Sequence, residues 1–283
     1  MKQHIRSAVA AIAMTALAAC GASSTPRVGA FAPAQTASIV FRVRIPATAP
    51  APSARGPQYV SAATQSVAFS LINYDGNVES GQTTVVSLVP GTNCTGSGSS
   101  TVCTASATAP VGSDVYSIAT YQAANGSGTP LSLNDSVPVT IVAGSNALST
   151  TLDGVVSSLA FAPSNANAVN GTPSSGAVSI EAMDASGDII IGPGSYVLPS
   201  GASDSISISC QTHLTPLNNL NAPATAITSP AQSAGFASVS YDGTDINGTT
   251  GGPLLCSATD SGTNTATFTL NLSATGSTTW TIS

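Results

Sequence analysis

Apolar and polar residues alternate along this chain with a period of two, and almost nowhere with the period of a helix. In SIVFRVRI (38–45), Ile39, Phe41, Val43 and Ile45 fall on one side, with Arg42 and Arg44 on the other. In SISISC (205–210), Ile206, Ile208 and Cys210 alternate with serines. In TATFTLNLS (265–273), Ala266, Phe268, Leu270 and Leu272 alternate with Thr and Asn. The terminal TTWTIS places Trp280 and Ile282 on one face. Such runs predict half-buried β-strands.

Turn signals separate the runs: YDGN (74–77), ANGSG (124–128), LDG (152–154), DASGD (184–188) and YDGTDING (241–248). Asp-Gly and Asn-Gly pairs supply the positive φ that tight hairpins require. Short strands at this spacing predict antiparallel β-sandwiches. The polar, turn-rich stretch APSNANAVNGTPSSG (162–176) marks a boundary, giving one domain over 37–161 and a second over 162–283. Within the first, PATAPAPSARGPQ (46–58) is either a long loop or a sign that 37–45 pairs elsewhere. The segment APVGSDVYSIATYQ (109–122) resembles the late-strand region of Ig-like bacterial surface modules, where a glycine-containing turn leads into a tyrosine-bearing strand.

The first twenty residues change the picture. Lys2, His4 and Arg6 precede an apolar run, Ala8 to Ala19, in the layout of a secretory signal peptide. The run is too short to span a bilayer, which takes roughly 20 apolar residues. Leu17-Ala18-Ala19-Cys20 resembles the lipobox of bacterial lipoproteins. That resemblance implies cleavage after residue 19 and acylation of Cys20, since stable anchoring takes two or more acyl chains. Residues 20–36 then form a small, polar, Pro-containing tether. Gly21 after the cysteine implies, by the same resemblance, sorting to an outer membrane where the organism has one.

Charge is scarce and segregated. Lys and Arg total 6 and Asp and Glu total 12. Residues 56–283 hold no Lys or Arg, and every acidic residue lies between Asp75 and Asp260. A body of this kind repels phosphate, so nucleic acid is excluded as a partner. The recurring apolar alternation separates the chain from disordered sequences of low hydrophobicity.

Apart from Cys20, four cysteines remain: Cys94, Cys103, Cys210 and Cys256. Three pairings are possible. Proximity favours Cys94–Cys103, and two domains then leave Cys210–Cys256. An exported chain keeps such bonds. Zinc fails on spacing, because no C-x-x-C occurs and only one histidine, His213, follows residue 4.

Catalytic patterns are missing. No G-x-S-x-G elbow accompanies His213, which reads as a loop residue. No phosphate-binding loop is possible, because no lysine follows Lys2. Glu79 and Glu181 are the only glutamates, a thin basis for a glycosidase pair. Calcium is the metal these residues suit best, since Asp184 and Asp188, and Asp242 and Asp245, flank turns. Aspartate is equally a favoured turn residue, and neither segment supplies three converging carboxylates, so no metal or other cofactor is assigned.

The expectation is an all-β chain: two antiparallel Ig-like β-sandwich domains in tandem after a flexible tether. Its expected function is that of a non-enzymatic cell-envelope lipoprotein, a structural or interaction module outside the cytoplasm. Its partners would be the membrane, through the anchor, and an extracellular protein or glycan. A glycan- or peptide-binding lipoprotein is the alternative, and a hydrolase or hydrolase accessory a third class.

Overall fold

A computed structural model describes residues 35–46, 60–96, 100–218, 226–246 and 251–273. The chain divides into two compact units, Met1–Ala34 and Gln35–Ser283, and the described residues all belong to the second. The signal-peptide segment, Cys20, most of the tether, residues 47–58 of the Pro/Ala stretch and the final TTWTIS lie outside them.

The chain is all-β and mostly antiparallel. Its first nine strands are β1 (Thr36–Pro46), β2 (Ser66–Tyr74), β3 (Asn77–Ser87), β4 (Cys94–Thr95), β5 (Ser100–Pro110), β6 (Gly112–Tyr121), β7 (Ser132–Ile141), β8 (Ser145–Leu148) and β9 (Asp153–Val155). They build a four-stranded sheet, β4-β5-β1-β8, and most of a six-stranded one ending in β9-β7-β6-β2-β3. Alternation decides which face each strand buries: Ile39, Phe41 and Val43 point inward while Arg42 and Arg44 stay exposed. The two sheets share one core in which Phe41 meets Phe69 edge-on, ring centroids 6.2 Å apart. β1 pairs antiparallel with β5 and parallel with β8, so 37–45 belongs to this sandwich-like body.

The remaining strands are β10 (Ser158–Ala162), β11 (Asn165–Val169), β12 (Ser174–Ala177), β13 (Ser179–Met183), β14 (Tyr196–Val197), β15 (Ile206–Cys210), β16 (Leu214–Asn218), β17 (Ala226–Ile227), β18 (Phe236–Tyr241), β19 (Pro253–Thr259) and β20 (Thr265–Ser273). The only helix among the described residues is α1 (Pro230–Gly235). Sheets β11-β20-β19-β15-β17, β12-β18-β16 and β10-β13 surround a second core centred on Phe268, Leu270, Ile206 and Tyr241. The polar stretch 162–176 itself carries β11 and the start of β12; Ala166 and Ala168 are buried between exposed asparagines.

Three pairs, β1–β8, β11–β20 and β14–β9, are parallel where antiparallel neighbours were expected. The last of these adds β14 to the edge of the six-stranded sheet. A small cluster of Ala119, Leu133, Val155 and Val197 fills the join. Gly154 sits there with no room to spare: a Cβ would stand 2.1 Å from Cγ2 of Ile190. Ile190 branches at its own Cβ and cannot swing aside freely. Gly154→Ala is therefore expected to destabilise the protein by about 1–3 kcal/mol in urea unfolding, the usual range for overpacking. A change below about 0.5 kcal/mol would show that the join yields without cost.

Candidate functional site

A shallow, open depression lies where β15 hands over to β16. Cys210 ends β15, and Gln211, Thr212 and His213 form the turn, closed by the Leu214 amide donating to the Gln211 carbonyl at 3.0 Å. His213 takes φ +81°, a left-handed conformation uncommon outside glycine. The Asp242 amide donates to the His213 carbonyl, and His213 Nδ1 lies 2.9 Å from Asp242 Oδ2. The Thr244 amide bonds the other Asp242 oxygen at 2.8 Å. That amide first, and His213 second, hold the Asp242 carboxyl below its ordinary pKa. Gln211, Thr212, His213, Asp245, Ile246 and Leu254 line an open hollow of about 660 Å³. The hollow offers hydrogen bonds and two apolar contacts. Cys210 lies in its wall as half of a disulfide, so it contributes no thiol.

The turn aspartates are occupied locally. Asp184 Oδ1 accepts from the Ser186 amide (2.8 Å), the Ser186 hydroxyl (2.6 Å) and the Asp188 amide (3.1 Å). Asp188 Oδ2 accepts from the buried Ser61 hydroxyl at 2.6 Å, tying the DASGD turn to the segment that precedes β2. Asp245 accepts from the Asn170 side-chain amide, and Asp242 faces His213. No group of three or more His, Cys, Asp or Glu able to hold a metal comes together among the described residues.

The four cysteines pair directly across neighbouring strands. Cys94 and Cys103 face each other on β4 and β5, and Cys210 and Cys256 on β15 and β19. Cys94, Cys103 and Cys256 are buried.

One chemically notable group escaped the sequence reading. Asp114 on β6 is 1% exposed, and neither carboxylate oxygen has a partner at hydrogen-bonding geometry. It pairs in register with Tyr74 on β2 and Val139 on β7. Burial first, then the charge of Asp75, pushes its carboxyl up to about 6; the nearby Tyr116 hydroxyl acts weakly in the opposite sense. Burial and the Asp75 and Asp114 carboxylates raise the Tyr74 hydroxyl, and burial and Asp114 raise that of Tyr116. Asp75, in the turn between β2 and β3, is held against β6, its Oδ1 accepting from the Ser113 amide at 2.9 Å. The available signal was parity: Asp114 shares the face of Tyr116 and Ile118.

No protein-family model and no curated protein matches this chain.

Proposed function

We propose that this chain is a non-enzymatic bacterial lipoprotein, exported and anchored through Cys20, whose body serves as a structural or interaction module of the cell envelope. The observation that carries the proposal is the junction of a lipobox-like LAAC with an all-β body closed by two disulfides. Disulfides of this kind are compatible with a compartment outside the reducing cytoplasm. No helix among the described residues is long and apolar enough to cross a membrane.

The reading of 37–161 and 162–283 as Ig-like sandwiches in tandem draws support from two buried clusters, one from Ala37 to Leu152 and one from Val156 to Leu272. The hollow at His213 favours a second reading, a surface lipoprotein that binds a glycan or peptide. Its amide, imidazole and carboxylate groups suit hydrogen-bonding ligands of that kind.

The test compares the full-length protein with Cys20→Ser in a bacterial host fed a labelled fatty acid. The wild type is expected to take up label, sediment with membranes and be shaved from intact cells by protease. Cys20→Ser is expected to do none of these. If neither protein takes up label and both are released, Cys20 is incidental and the protein is secreted.

A further inference from the structure

The basic residues of the proposed mature chain, Arg27, Arg42, Arg44 and Arg55, all fall close in sequence behind Cys20. The two that are described lie on one strand and one face: Arg42 and Arg44 are exposed on β1, about 7 Å apart at the rise of an extended strand. The Arg44 Nε donates to the Ser100 hydroxyl at 3.0 Å, which sets its guanidinium over β5. Neither arginine forms an ion pair among the described residues. No acidic residue occurs in β1, β4, β5 or β8, although the chain holds twelve elsewhere. β1 begins at Thr36, so at most about 55 Å of extended chain separates it from Cys20.

From this juxtaposition we infer that the outward face of β1 and β5 docks on the anionic phospholipid surface beside the anchor. The inference rests on the lipoprotein reading for its biological setting. Exposed charges more than about 8 Å apart are largely screened at physiological salt, and no strand of this sheet carries an acidic residue, so the two arginines form a local positive patch on a negative protein. The surrounding serine and threonine hydroxyls give phosphodiester oxygens further donors.

The experiment uses unlipidated residues 21–283, which retain the whole compact unit Gln35–Ser283, so its outcome does not depend on acylation. The protein is sedimented with vesicles of phosphatidylcholine, or of phosphatidylcholine with an equal part of phosphatidylglycerol. Binding is expected only to the anionic vesicles, falling steeply with salt. Replacing both residues, R42Q with R44Q, is expected to weaken it about 30-fold at an unchanged thermal midpoint. Equal partitioning on both vesicle types would overturn the inference. So would full binding by the R42Q/R44Q protein alongside loss of binding in R27Q/R55Q, which would place the interaction outside this sheet face.

Discussion

Replacing both Cys210 and Cys256 with alanine is expected to lower the free energy of unfolding by about 4 kcal/mol, the largest single effect anticipated here. The bond spans a sequence separation of 46, so its loss releases a long loop in the unfolded chain. Cys256 is fully buried beside Phe268 and Leu254, and truncation there also removes packing. The Cys94–Cys103 bond closes a separation of only 9, and the matching double variant is expected to lose about 2.5–3 kcal/mol. Urea unfolding followed by circular dichroism measures both. The ranking is the critical readout: a larger loss from the short loop would show that the reduced chain keeps structure around the long one.

Asp114 gives the second large effect, and its sign is unusual for a carboxylate. Its pKa in the folded protein is raised to about 6 from 3.8. Between those values the folded state binds a proton that the unfolded state has released, so stability rises as pH falls through 6 and levels off below 3.8. At neutral pH the buried charge costs about 2–3 kcal/mol, from roughly 1.4 kcal/mol per pH unit. Asp114→Asn keeps the shape and removes the charge. The variant is expected to be more stable at pH 7 by about that amount, with the slope between pH 7 and 4 largely abolished. Asp242, held low in the folded state, contributes in the opposite direction, but it is exposed and its effect is small. An Asp114→Asn protein with unchanged stability at pH 7 and an unchanged slope would rule out the buried charge as the cause.

What the sequence made legible follows from residue size. β1, β15 and β20 stand out because Ile, Phe and Leu alternate with Ser, Thr, Asn or Arg, and burying such side chains dominates the energetics. β11 alternates just as regularly, but its inward residues are alanines, and the segment reads as a polar linker. Strands of two residues, such as β14 and β17, carry no period at all. Alternation assigns faces and leaves neighbours open, so the three parallel pairs could not be anticipated. The disulfides were legible because few cysteines leave few pairings. The candidate site was not: His213 and Asp242 are 29 residues apart, and register alone brings them together. Asp114 was hidden by its residue type, since a Gly-Ser-Asp run suggests a turn.

Anchoring through Cys20 is tested most directly by the intact mass of the protein extracted from the membranes of its host. The expected result is a chain beginning at Cys20 and heavier than residues 20–283 by a diacylglycerol, with an N-acyl chain where the host adds one. A chain beginning elsewhere, or an unmodified Cys20, would contradict it.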